Sequence, residues 1–354
     1  MPEVRGGRPP GRPARPSPRA AVRGRWRHLC AATCLALGLS TGLSGCASWL
    51  DAGTAQTQQV LSAPPAGLPR RALLDDTPFF PQTELQCGPA ALATLLGAVG
   101  RPVSPDALRD EVFLPGRGGS LQIEMLGAAR RHDAVSTVLP PRLDALLQEV
   151  AAGHPVGVLL NLGLSVVPLW HFAVVVGYDL DRETLLLRSG ETREQPFQMR
   201  TFERTWARSQ HWAFVALPPD TLPATATLAA VREGRIGFER AAPAARAVVA
   251  WQAASQRWHD DTVIGMGLGN SQVAAGDTAA ALRTFARVAE ATDSAAAWNN
   301  LASLRLQGGD LAGARQAARQ AVLRAAAAEP AMLAAAQATL AEVDAATARP
   351  AAPR

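Results

Sequence analysis

Apolar positions recur along the chain with two periods, and the change from one to the other marks its organisation. Leu92, Leu95, Leu96 and Val99 follow i, i+3, i+4, i+7 and predict a helix with one buried face. Gly100-Arg101-Pro102 ends it, and Ser104-Pro105-Asp106 opens the next with an N-cap and a first-turn proline. Pro115 to Gly119 reads as a loop, Ser120 as the cap of a third helix, and 141–152 as a fourth helix. Short apolar runs then take over. Val156 to Leu162 predicts one strand, and Phe172 to Tyr178 and Leu185 to Leu187 predict a hairpin turning through Asp179-Leu180-Asp181-Arg182. A last strand is predicted from Trp212 to Leu217. Helices first and strands afterwards predict an α+β domain over 76–219 rather than a βαβ wind.

Beyond residue 224 alanine dominates and a longer period appears. Ala247 and Trp251 recur as Ala281 and Phe285, then as Ala314 and Ala318. Gly276-Asp277 returns as Gly309-Asp310, and Leu268 as Leu301. Two helices and a Gly-Asp turn per unit of about 34 residues resemble tetratricopeptide repeats. An all-α repeat domain is therefore expected over 222–348. Its first copy, which contains Pro243, is degenerate, and the resemblance implies a protein partner.

The 354-residue chain is 48% apolar and carries a formal charge of +5. That charge is uneven. Residues 1–45 hold eight arginines against Glu3, a net of +7, so the rest of the chain sums to −2. The body therefore has no electrostatic case for binding nucleic acid. The basic stretch precedes an uncharged run, Leu29 to Gly45, that ends in Leu43-Ser44-Gly45-Cys46. A positive segment, a short apolar run and small residues before a cut predict a signal peptide over 1–45. Leu-Ser-Gly-Cys also resembles the bacterial lipobox. That implies lipid on Cys46 and, with Ala47 following, an outer-membrane lipoprotein facing the periplasm of a Gram-negative cell. Contact with the membrane is expected through this anchor only. Residues 46–75 are polar, small and Pro-rich, and predict a tether.

With Cys30 and Cys34 in the signal and Cys46 lipidated, Cys87 is the remaining thiol in an oxidising compartment. Pro89 fits a first helical turn, so Cys87 falls at a helix N-terminus, where unpaired N–H groups and the macrodipole favour a thiolate. A cysteine nucleophile needs a base. His171 opens the strand Phe172 to Tyr178 and is the candidate.

Gln82-x4-Cys87-Gly88-Pro89-Ala90-Ala91-Leu92, followed by His171-Phe172-Ala173-Val174-Val175-Val176-Gly177-Tyr178, resembles the bacteriocin-processing cysteine peptidases. That family is papain-like and cleaves leader peptides after a Gly-Gly pair. The resemblance implies Cys87 as nucleophile, His171 as base and Gln82 as oxyanion donor together with the Cys87 N–H. The family's aspartate is missing: the matching window reads Leu187-Arg188-Ser189-Gly190. Hairpin geometry places position 171 opposite 190 ± 1, which makes Ser189 the positional heir and Glu191 the runner-up.

No cofactor is expected. No His/Cys spacing suggests zinc, and Gly116-Arg117-Gly118-Gly119 lacks the lysine and serine of a phosphate loop. The expected function is a lipid-anchored cysteine peptidase acting on a peptide or protein, with repeats that recruit a partner or the substrate. The competing expectation is an interaction protein with an inactive peptidase-like domain. Amide transfer would use the same residues.

Overall fold

The computed structural model describes residues 53–81 and 86–348. The predicted signal peptide and Cys46 lie outside them, as does Gln82. Among the described residues no helix is long and apolar enough to cross a membrane.

The sheet-bearing part begins with α1 (Ala55–Ser62) and β1 (Arg71–Leu73). Next come α2 (Cys87–Ala98), α3 (Pro105–Val112), β2 (Phe113–Leu114), β3 (Gly119–Ser120) and α4 (Gln122–Arg131). It continues through β4 (Val135–Val138), α5 (Leu143–Ala151), β5 (Val156–Asn161), β6 (Trp170–Asp179) and β7 (Thr184–Ser189), and closes with β8 (Thr192–Gln198), α6 (Met199–Ala207) and β9 (Ala213–Leu217). The predicted helix and strand blocks stand, with shifted ends. Ser104 caps α3 as expected, accepting from the Ala107 N–H. Ser120 does not cap α4: it pairs with Phe113 in the β2–β3 ribbon, and Leu121 takes the N-cap position.

Seven strands form one antiparallel sheet in the order β4-β9-β5-β6-β7-β8, with β1 sharing an edge of β6. Strand pleating sends alternate residues to opposite faces. Phe172, Val174 and Val176 pack with Leu92, Leu95, Leu96, Leu108 and Met125 of α2, α3 and α4. Ala173 and Val175 pack on the other face with Leu146 and Val150 of α5 and Phe202 and Trp206 of α6. Strands buried on both faces read as continuous apolar runs, which is why β5 and β6 were legible as strands.

The tether is corrected in part. Its stretch from residue 56 is built into the domain: Gln56 and Thr57 donate their N–H groups to Glu203, and Val60 is buried in the core. Arg71 to Leu73 pair with Asp179 to Gly177. Polar composition suggested solvent, but the Gln56 and Thr57 N–H groups are spent on the buried Glu203.

The C-terminal part is helical: α7 (Leu228–Glu239), α8 (Ala244–Arg257), α9 (Thr262–Ala274), α10 (Thr278–Thr292), α11 (Ala295–Gln307), α12 (Leu311–Ala327) and α13 (Leu333–Ala348). Each packs on its neighbour in sequence, consistent with tetratricopeptide-like repeats. Ala247, Ala281 and Ala314 are buried at matching positions of α8, α10 and α12. Gly276 and Gly309 adopt φ of +82° and +80°, and Asp277 and Asp310 cap the helices that follow. Pro243 stands where the later copies have the aspartate, and it caps α8 without a side-chain bond.

Candidate active site

Cys87 is the first residue of α2, with Gln86 at the N-cap. The thiol is half-buried and free. Burial pushes it above its ordinary pKa, while the backbone N–H groups of Phe172, Gly88 and Cys87 itself pull the other way. The net direction is up, so the expected depressed thiolate is corrected. The helix N-terminus supplies donors as predicted, but loss of water outweighs them.

His171 lies near the start of β6, paired with Leu160 of β5, and Phe172, next along the strand, donates to the Cys87 sulfur. Burial holds the imidazole below its ordinary pKa. Both shifts favour an uncharged resting pair of thiol and neutral imidazole.

His171 Nε2 and Ser189 Oγ share a hydrogen bond of 2.8 Å. The register explains it: Val174 faces Arg188, so 173 lies opposite 189 and His171 is the diagonal neighbour on the same face. Ser189 is buried at the end of β7, whereas Glu191 is exposed beyond Gly190. With Nε2 engaged, Nδ1 is the ring nitrogen left for the thiol. A serine hydroxyl can donate or accept in this bond; a carboxylate could only accept and would fix the proton on Nε2.

A cleft of about 1280 Å³ contains this group, lined by Cys87, Ser120, His171, Phe172, Arg208 and Trp212 among others. One rim is the loop after β5. Asn161, itself buried, accepts from the Gly163 and Leu169 N–H groups, and Arg208 donates to the carbonyls of Asn161 and Gly163. Held this way, the loop presents Leu164, Val166, Val167 and Leu169 to solvent, Val166 at 85% exposure, and Trp170, the first residue of β6, continues the exposed apolar surface. Sequence reasoning saw a loop here but missed its apolar surface. Aliphatic residues in an eight-residue connection were the available signal. Among the described residues no group of three His, Cys, Asp or Glu side chains could hold a metal ion.

Residues 74–214 match the model of the Peptidase_C39 like family. No curated protein matches the chain. Among solved structures, a putative C39-like peptidase from Bacillus anthracis is similar over 42% of this chain and 97% of its own, at 18% identity and a TM-score of 0.36. The peptidase domain of Streptococcus ComA, a bifunctional ABC transporter, is similar over 40% and 98%, at 19% identity and a TM-score of 0.34. PcrH from Pseudomonas aeruginosa is similar over 32% and 89%, at 27% identity and a TM-score of 0.31. The segment from residue 74 to residue 214 is thus a C39-like peptidase domain, of a papain-like cysteine peptidase family.

Proposed function

We propose that the domain cleaves a peptide bond with Cys87 as nucleophile and His171 as base. The observation that carries this reading is one cleft holding a thiol at a helix N-terminus beside a strand whose histidine is oriented by Ser189. In the forward step the Cys87 proton passes to Nδ1 of His171 and the sulfur attacks the scissile carbonyl. The Cys87 N–H stabilises the oxyanion, with Gln82 as second donor. The imidazolium then protonates the leaving amine, and water, deprotonated by the same ring, hydrolyses the thioester. The apolar rim favours peptide substrates that bring aliphatic side chains to the cleft.

A peptide bearing an electrophilic warhead tests the pair. Wild type should label at Cys87; Cys87→Ser should not, and His171→Ala should label roughly 10²–10⁴ times more slowly. Equal labelling of wild type and His171→Ala would defeat the reading. The missing carboxylate and the raised thiol favour a second reading, an inactive domain within an interaction protein. Its mark would be Cys87 alkylation indifferent to His171.

The reading extends to anchoring on Cys46 at the periplasmic face of the outer membrane and to partner recruitment by the helical repeats. Cells fed a labelled fatty acid should label the chain and not Cys46→Ser; label on both would exclude that attachment site.

A further inference from the structure

Among the described residues, five other than glycine hold a left-handed backbone: Asp133, Glu183, Gln210, His211 and Asp293. That conformation crowds the Cβ atom against the backbone and strains any residue that carries a side chain. In four of the five the side chain gains a contact inside the fold. Asp133 bonds Arg101 and Arg246, and Asp293 bonds Arg324. Glu183 pairs with Arg200 at 3.5 Å, and His211 sets its ring edge-on against Trp206. Gln210 differs. Its φ is +58°, its side chain is exposed, and its amide has no partner among the described residues.

The turn that carries Gln210 is fixed. The Gln210 N–H donates to the Ala207 carbonyl and the His211 N–H to the Trp206 carbonyl, which closes the end of α6. The Ser209 hydroxyl donates to the Leu159 carbonyl of β5, and Arg208 holds the rim loop. Glycine is the usual residue at a left-handed helix end, and it would close this one without strain. The fold therefore gives no reason for a glutamine here. The cleft does: Gln210 lines it together with Cys87 and His171.

We propose that Gln210 is a substrate-binding residue, whose amide hydrogen-bonds a main-chain peptide unit of an extended substrate lying in the cleft. This rests on the cysteine–histidine reading above. A primary amide offers both a donor and an acceptor, which match the C=O and N–H of a peptide unit. The amide is uncharged, so it has no preference for an acidic or a basic side chain. Leu169 and Trp170 line the same cleft and take the apolar side chains. Gln210 thus recognises extended polypeptide whatever its sequence, and the strained turn keeps the amide aimed at it.

Alkylation of Cys87 in the full chain by a tripeptidyl chloromethyl ketone with aliphatic side chains tests this, with iodoacetamide as the small reagent. Gln210→Met keeps the length and the strain but loses the amide; Gln210→Gly loses both the strain and the amide. Each should raise the half-saturating concentration of the peptide reagent about fivefold to tenfold, as loss of one or two hydrogen bonds would. The limiting rate should stay within about twofold, the mark of a contact made equally before and during reaction. Iodoacetamide rates should not change. Gln210→Gly should melt no lower than wild type, because no internal contact is lost and the left-handed backbone suits glycine. Unchanged half-saturation in Gln210→Met overturns the assignment, as does a lower melting temperature of Gln210→Gly or an equal loss toward iodoacetamide. Failure of the underlying reading is seen separately: iodoacetamide rates indifferent to His171→Ala defeat the cysteine–histidine pair, whereas Gln210 is read from the peptide reagent's half-saturation.

Discussion

At the scale of single residues the site is governed by burial. Loss of water pushes the Cys87 thiol up and the His171 imidazole down, so the neutral pair persists over a wider pH range than exposed groups would allow. The sign for stability follows. The unfolded chain protonates His171 near ~6.5 and the folded chain only below that, so acidification through that range costs stability. The same shift should place the acid limb of the alkylation profile below ~6.5. Ser189→Asp would accept from Nε2 and favour imidazolium, so it should move the limb upward and speed labelling at neutral pH. Ser189→Ala should slow labelling only modestly. A Ser189→Asp profile identical to wild type would show that the ring does not depend on this neighbour. The Ser189 position was legible because a hairpin register counts residues across strands. The sign of the thiol shift was not, because burial is a property of packing.

At the scale of elements, the repeats show which part of the pattern matters. The small residues at 247, 281 and 314 were readable from their period, and all are buried between helices. The glycines of α9 were not read. A Cβ at Gly267 would enter the Trp251 ring, and one at Gly269 would come within 2.5 Å of Phe285. This helix accommodates its partners' large rings by having no side chains at those points. Ala314→Leu and Gly267→Ala should each overpack their contacts and cost about 1–3 kcal/mol, read as lower melting temperatures of the full chain. Unchanged melting temperatures would put these residues off the contact. β8 went unread because Thr192 to Gln198 is an exposed edge strand without an apolar run. Short β1 and β4 offered too few residues for a period.

At the scale of the whole described body, the helical part is joined to the sheet part by polar contacts, one set buried at Glu149 and another half-buried at Asp133. Glu149 on α5 is fully buried; it bonds His154 and accepts from the N–H groups of Ala224 and Thr225 and the Thr225 hydroxyl. Burial opposes its charge, but these bonds prevail and hold the carboxyl below its ordinary range. Asp133 is likewise held low: burial works against it, and Arg246 of α8 and then Arg101 outweigh that. Depressed carboxylates contribute stability above their unfolded values of ~3.9–4.3, and lose it as pH falls through the lower folded values. Proteolysis of the 218–227 connection should therefore accelerate at acid pH, below about 4. Glu149→Gln should bring similar sensitivity to neutral pH and cost about 1–3 kcal/mol, since an amide N–H₂ replaces one of the two accepting oxygens and leaves a buried donor such as the Ala224 N–H without its acceptor. Equal cleavage of both forms at all pH values would mean that the junction does not rest on this carboxylate.

The sequence by itself determined what is local. Apolar period specified the core helix that begins at Cys87 and the buried strands β5 and β6. Gly-Asp spacing specified the turns between the C-terminal helices, and a residue count across one hairpin singled out Ser189. These features depend on backbone geometry over a few neighbours, which the order of residues encodes directly. Only the tertiary structure decided the rest. It drew residues 56–73 into the domain, raised the thiol by removing water, and built an apolar rim on a loop held by Asn161 and Arg208. It also turned Ser120 from a presumed helix cap into an unpaired hydroxyl against Gly88. Each of these depends on groups far apart in the chain meeting in a space closed to water, and burial, not order along the chain, sets their chemistry.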